Sequence, residues 1–181
     1  MKFRLALMTM LLTPLLAAWA QVRAGTPEDR LFEQIAREPN GEARLGLIAT
    51  FEREFPDSKV LSRVYLMAVD IYRERNEREK INEYAEKALR LDDTSITAMM
   101  LLARSYSIES KNLDRAVELA QRALDRLQTM RKTEAAPPGG YSPAQWKDYL
   151  RSNEDAAEQI LQYAQVMRKH ADSVRSSQEV R

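Results

Sequence analysis

The residues that could support catalysis or metal binding are few in this sequence and stand far apart. His170 is the only histidine, and the 181 residues include no cysteine. Thiolate ligands, cysteine nucleophiles and disulfides are therefore excluded. We interpret His170 as an exposed residue near the negative end of a helix, and Met99 and Met100 as packing residues. The sequence predicts no catalytic site, no metal site and no cofactor.

Known catalytic motifs are also missing. The sequence has no G-x-S-x-G, no H-E-x-x-H and no glycine-rich phosphate loop, so we predict that the protein is not an enzyme. Basic and acidic residues number 28 and 27, and their signs are interspersed, which leaves a net charge of +1. Nucleic-acid binding needs a basic stripe that can neutralise phosphates, and none is present. The dense charged run at 77–80 is interpreted as a solvated turn and helix start.

The N-terminal segment, residues 1–20, has the pattern of a secretory signal peptide. Lys2 and Arg4 precede a short apolar run at 5–16, and Ala-Trp-Ala at 18–20 is a small-x-small cleavage site. An alternative cleavage site ends at residue 24. The apolar run is shorter than the roughly 20 residues that a membrane span needs. We therefore predict an exported, soluble protein, periplasmic or secreted, without a stable membrane anchor after cleavage.

The rest of the chain predicts helices joined by short loops. Apolar residues recur three and four positions apart, which is the helical period, and only 5 glycines and 7 prolines interrupt them. A Pro/Gly linker is predicted at 133–142, an amphipathic helix at 143–175 and a fraying polar tail at 176–181. The other predicted helices cover about 26–38, 42–54, 59–75, 78–91, 96–109 and 113–131.

Two of the predicted helical hairpins match each other in sequence. Ala88 and Ala123 close the two segments and stand 35 positions apart, with one extra residue in the second turn. A period of about 34 residues is typical of helix–turn–helix arrays. The matching positions are Tyr65, Ala68, Tyr72, Ala85 and Ala88 in the first segment, and Ala103, Tyr106, Ala116, Ala120 and Ala123 in the second.

These residues resemble the tetratricopeptide repeat family, and Phe51 and Pro56 resemble the end of a more degenerate first unit, in the style of exported bacterial members. Val69 and Asp93 depart from the family pattern, where glycine and proline are usual. The resemblance implies an all-α fold, a right-handed α-solenoid of helical hairpins, over residues 26–132. Its units would be 26–58, 59–93 and 94–132.

The helix at 143–175 is predicted to cap this solenoid by docking Trp146, Tyr149 and Leu150 on the last hairpin. The alternative is that it pairs with another chain. We predict one apolar stripe along it, formed by Trp146, Tyr149, Leu150, Ala157, Ile160, Leu161, Ala164 and Met167.

The resemblance also implies where a partner would bind, because ligands of this family usually lie on the concave face made by the first helix of each hairpin. It implies a noncatalytic scaffold or adaptor that binds a peptide or protein in the bacterial cell envelope. The alternative is a structural protein that self-associates through its C-terminal helix or its open solenoid ends. The Lys/Asn set that grips a terminal carboxylate in some members is absent. The implied contact residues are Arg63, Leu66, Asp70, Arg73, Thr97, Met100, Arg104 and Ser107.

Overall fold

A computed structural model describes residues 25–133, 137 and 140–179 of the chain. The predicted signal peptide, part of the predicted linker and the last two residues lie outside the described residues. The described part consists of seven α-helices and contains no strand, so the predicted all-α class is confirmed. The helices are α1 (Pro27–Arg37), α2 (Gly41–Glu54), α3 (Leu61–Glu74), α4 (Arg78–Leu91), α5 (Ile96–Glu109), α6 (Leu113–Lys132) and α7 (Pro143–Glu179).

The helices pack in chain order. Each helix contacts the next, most extensively where α3 meets α4, α5 meets α6 and α6 meets α7. In addition, α1 touches α3 and α5 touches α7. Within the described residues no extensive contact joins helices more than two positions apart. The helices therefore form an open series of neighbours, and α1 and α2 are not folded back onto α5–α7.

Several helices begin at side chains that cap their free backbone N–H groups. Thr26 Oγ1 accepts from Asp29 N (3.1 Å), and Pro27 occupies the first turn. At the start of α7, Ser142 Oγ accepts from Gln145 N (3.3 Å) while Gln145 Oε1 accepts from Ser142 N (2.9 Å). This is a reciprocal capping box, in which each of the two side chains caps a backbone N–H of the other residue. The cap therefore fixes the first residue of the longest helix.

The ends of α3 and α5 carry the same hydrogen bond at matching repeat positions. After α3 the backbone N–H of Glu77 donates to Tyr72 O (2.9 Å), and after α5 that of Lys111 donates to Tyr106 O (3.0 Å). Such a bond from a residue to the carbonyl five positions earlier is half of a Schellman cap, which needs a left-handed residue before the donor. Those residues are Asn76 (φ 56°) and Ser110 (φ 53°).

The loops that lead into α3 and α5 also match, at the same spacing as the two helix ends. Ser58 Oγ accepts from Val60 N (3.2 Å), and Asp92 Oδ1 accepts from Thr94 N (3.0 Å). In each loop the backbone carbonyl of the same residue also accepts a bond from the N–H three positions later. Local side-chain bonds of this kind set the direction of a turn. Matching turns thus precede α3 and α5, although α5 begins one residue later after its turn and is capped by the Ser95 hydroxyl.

Small residues occupy the interior between the helices. Every alanine of the matching positions is fully buried: Ala68, Ala85, Ala88, Ala103, Ala116, Ala120 and Ala123 are all 0% exposed. The first unit joins the same core, because Ile35, Ile48 and Phe51 are buried with the others. Because the side chain of alanine is short, buried alanines let the backbones of neighbouring helices approach closely. At Gly41 α3 and α2 lie close together, since an added Cβ would be 3.1 Å from Ile71 Cγ2 and Arg75 Nη2.

Two glutamates at matching repeat positions bridge the hairpins through tyrosine hydroxyls. Tyr65 Oη on α3 donates to Glu52 Oε1 on α2 (2.8 Å), and Tyr106 Oη on α5 donates to Glu86 Oε1 on α4 (2.8 Å). Lys87 also pairs with Glu52, with 3.3 Å between Nζ and Oε1. The pKa of Tyr106 is raised to about 12; burial is the largest cause, and the hydrogen bond to Glu86 is the next. Each bridge therefore joins one helical hairpin to the next.

The bridge at Tyr106 gives a testable dependence on pH. Because the pKa is raised from 10 to about 12, its contribution to stability is complete below pH 10 and is lost as the pH rises toward 12. We expect Tyr106→Phe to cost about 1 kcal/mol at pH 7 and to reduce the loss of stability between pH 10 and 12. Urea unfolding of both proteins at pH 7, 10 and 11.5 measures this. Equal pH slopes for the two proteins would contradict it.

The C-terminal helix differs from its prediction in length and in its faces. It continues to Glu179, so residues 176–179, expected to fray, are helical. Trp146 and Leu150 are buried, but Tyr149 is 36% exposed and stacks on the Trp146 ring (5.2 Å between centroids) instead of entering the hairpin. The predicted docking of Tyr149 is therefore wrong. Its ring lies about 100° around the helix from Leu150, outside the surface that faces α6.

Candidate partner-binding cleft

The predicted contact residues of α3 and α5 differ in their exposure. Leu66 and Met100 are half-buried in the core surface. Arg63 is exposed, but its guanidinium lies 5.3 Å from the centre of the Phe32 ring, so it helps to hold α1 against α3. The other residues with exposed polar ends are Asp70, Arg73, Thr97 and Arg104.

Ser107 does not line this surface, which corrects the prediction. It is 0% exposed, and its hydroxyl donates to Ala103 O within α5 (2.6 Å). A spacing of three from Arg104 places a residue on the neighbouring part of a helix surface. That part of α5 is covered by the adjacent helices, so Ser107 cannot reach a partner.

The structure brings Arg73 and Arg104 together at one cleft. This cleft, of about 290 Å³, lies between the end of α3, the following turn, the start of α4 and the outer side of α5. Its floor and walls are apolar where Ile81, Leu101 and Ile108 contribute. The arginine cleft, as we call it, also includes Arg78, which follows the left-handed turn residue Asn76.

The cations of the arginine cleft are poorly neutralised. Arg73 Nη1 lies 3.3 Å from Asp70 Oδ1 in an exposed pair, and such pairs contribute little. Arg78 and Arg104 have no ion pair with any described residue. Two of the three guanidinium groups are thus available to an incoming anion.

The carboxylate at the end of α5 is already engaged by other groups. Glu109 Oε1 accepts from Asn82 Nδ2 (3.1 Å) and Ser105 Oγ (3.2 Å), and Glu109 Oε2 lies 3.6 Å from Lys111 Nζ. These contacts tie the end of α5 to α4 and leave Arg104 without this carboxylate as a partner. The cleft therefore keeps a positive character between packed helices.

This arrangement suits recognition rather than catalysis. A guanidinium presents several donors in a fixed plane and binds carboxylates through two bonds, while isoleucine and leucine offer apolar contact. The hydroxyl of Ser105 is bonded to Glu109, and no histidine or lysine among the described residues lines the cleft to activate it as a nucleophile. A segment of protein with an acidic group beside an aliphatic side chain matches the cleft in both charge and polarity.

Two residues of this cleft, Arg78 and Ile108, are not among the predicted contact residues. Arg78 lies in the charged run interpreted as a solvated turn, and Ile108 is 44% exposed on α5. The sequence signal available for Ile108 is its position one helical turn after Arg104. The juxtaposition with Arg78 depends on the packing of α4 against α5, which no local pattern gives.

The methionine pair and the histidine considered in the sequence analysis lie in surroundings typical of packing and surface residues. Met99 is 2% exposed and Met100 half-buried, and His170 is exposed on α7. Within the described residues, no three His, Cys, Asp or Glu side chains are placed to hold a metal ion. Nor is any described helix both long and apolar enough to cross a membrane.

Comparison with known proteins gives no match for this chain, either to a family model, to a curated protein or to a solved structure. The resemblance to tetratricopeptide repeats therefore rests on the residues quoted above and stays a prediction.

Proposed function

We propose that this protein is an exported, noncatalytic adaptor of the bacterial cell envelope, built as a right-handed α-solenoid of tetratricopeptide-like hairpins. The repeat is supported by the matching turns, because the caps after α3 and α5 and the loops before them recur at one common spacing. Export is supported by the signal-peptide pattern at 1–20. The protein would act by holding a partner, with no chemical change to it.

The observation that carries the proposal is the arginine cleft with its unpaired Arg78 and Arg104. Its partner is a protein segment that carries a carboxylate next to an aliphatic side chain. Because both arginines are presented by packed helices, little conformational freedom of the protein's backbone is lost when a segment binds. Because neither Arg78 nor Arg104 has an ion pair with a described residue, the incoming anion supplies the missing charge.

Capture of envelope proteins tests this function with a matched pair of variants. The cleft variant is Arg78→Glu/Arg104→Glu, and the control is Arg30→Glu/Arg126→Glu, which changes the charge equally at exposed arginines that have no ion pair with a described residue. We expect wild type and control to retain the same partner, and the cleft variant to bind it at least about tenfold more weakly, since each lost charge-assisted bond is worth about 1.5–3 kcal/mol. Quantitative mass spectrometry of the retained proteins, followed by titration of the purified partner, measures this.

The same experiment can contradict the proposal in two ways. If the cleft variant bound the partner with wild-type affinity, the arginine cleft would not be the binding site. Equal weakening by the cleft variant and the control would show that binding depends on overall charge alone. Circular dichroism of each variant at 222 nm excludes loss of folding as the cause.

A further inference from the structure

Helix α7 has two different faces: one is buried inside the chain, and the other is partly exposed, with Ile160 packed at the edge of the core. The first face packs on α5 and α6. Its members are Trp146, Leu150, Ala157, Leu161 and Ala164, each less than 10% exposed. The predicted single stripe therefore divides into two, because Tyr149, Ile160 and Met167 lie on the second face.

The second face runs along the whole helix in a regular pattern. Its positions alternate in steps of four and three residues, which is the seam pattern of a helix that pairs with another helix. Tyr149, Tyr163 and Val174 are 36%, 45% and 44% exposed, whereas the seam positions at 153, 156, 160 and 167 are half-buried. We call this the open seam; its residues are Tyr149, Asn153, Ala156, Ile160, Tyr163, Met167, His170 and Val174.

The length of α7 also exceeds what the chain itself supports. Its 37 residues span about 55 Å, against about 30 Å for the 20 residues of α6. Arg168 Nη1 lies 3.6 Å from Asp114 Oδ1 in the first turn of α6, which marks where α7 passes the beginning of its neighbour. Residues 172–178 are all exposed. A helical end without packing is marginal in water, so a second helix along the open seam would stabilise it.

The charges of α7 indicate which helix fits. Residues 143–158 carry a net charge of −2 and residues 163–179 a net charge of +1. Glu154 and Arg168 are paired within the chain, and without them the two halves carry −1 and 0. An antiparallel copy of α7 places each half against the oppositely charged half, whereas a parallel copy places like charges together. The groups are Lys147, Asp148, Arg151, Glu154, Asp155 and Glu158 in the first half, and Arg168, Lys169, Asp172, Arg175 and Glu179 in the second.

We propose that the open seam is the interface of a homodimer in which two copies of α7 pair antiparallel about a two-fold axis between Ile160 and Tyr163. This register faces Ile160 with Tyr163, Ala156 with Met167, Asn153 with His170 and Tyr149 with Val174 of the second copy. Every seam position then has a seam position opposite it, including Val174 in the overhanging end. The pairing is independent of the arginine cleft and needs no third component.

Sedimentation equilibrium of the purified protein tests the dimer. We expect a mass twice that of one chain. Tyr163→Glu places a charge at the centre of the seam and is expected to raise the dissociation constant at least about tenfold, while Gln162→Glu, an exposed neighbour outside the seam, leaves it unchanged. Both substitutions are at exposed positions, so circular dichroism should show folded protein. A monomer at about 100 µM wild type, or equal effects of the two variants, would overturn the proposal.

Disulfide cross-linking tests the orientation without background, because the chain has no cysteine. In the proposed register Asn153→Cys on one copy faces His170→Cys on the other. Two identical positions are about 25 Å apart across the dimer. We therefore expect cross-linked dimers when the two variants are mixed and oxidised, and none from either variant alone. Cross-linking of each variant with itself, and not of the mixture, would show a parallel pair and overturn the proposal.

Discussion

Replacing Phe51 with alanine is expected to lower the free energy of unfolding by about 3–5 kcal/mol, as for other large aromatic truncations in a core. The ring is 0% exposed, and its centre lies 5.2 Å from that of Phe55. It belongs to the cluster that also buries Ile35 and Ile48. The removed ring would leave a cavity between the first unit and α3, because α1 and α2 both pack in that direction.

The measurement is urea unfolding followed by circular dichroism at 222 nm. Leu91→Ala provides the control, since Leu91 is 52% exposed and its truncation should change stability by less than about 0.5 kcal/mol. In arrays where each unit contacts only its neighbours, stability is the sum of unit and interface contributions. A loss below about 1 kcal/mol for Phe51→Ala would mean that the first unit does not unfold with the rest of the chain.

Local sequence signals predict most of the helices. The bounds 78–91 and 96–109 agree with α4 and α5, because apolar spacing and turn residues act within a few positions. The caps at Thr26 and Ser142 are visible for the same reason: the donor is only three positions away. A Schellman cap requires a residue with a positive φ, and Asn76 and Ser110 supply it after α3 and α5. Asparagine tolerates such a φ readily.

Features that depend on which surfaces meet are not predicted in this way. Apolar spacing predicts a single stripe on α7, yet the structure places Leu150 inside and Tyr149 outside. The spacing of apolar residues along a helix does not show how many other helices pack against it. Ser107 shows the opposite error, since the part of α5 that carries it is covered by the adjacent helices. The arginine cleft combines Arg78 of α4 with Ile108 of α5, which are distant in sequence and meet only through packing.

Glu154 is a charged residue that the predicted apolar stripe of α7 does not include, and we expect the loss of its ion-pair partner to have a large effect on stability. It lies in the buried face of α7, four positions after Leu150 and three before Ala157. The residue is 8% exposed, and its Oε1 accepts from Arg131 Nε on α6 (2.8 Å). We expect Arg131→Met to lower the free energy of unfolding by about 2–3 kcal/mol, because it leaves a buried carboxylate without its partner.

Substitution of the other member of the pair, Glu154, should have a smaller effect on the free energy of unfolding. Arg131 is 53% exposed at its side chain while Glu154 is 11% exposed, so Glu154→Leu leaves a guanidinium that can reach water, and the leucine extends an apolar face. We expect a change within about 1 kcal/mol for Glu154→Leu and for the double variant Arg131→Met/Glu154→Leu. Urea unfolding of the four proteins gives the coupling energy of the pair. If Arg131→Met were harmless, the carboxylate would be solvated at the α6–α7 contact, and the buried apolar residues of the first face would hold α7 without the ion pair.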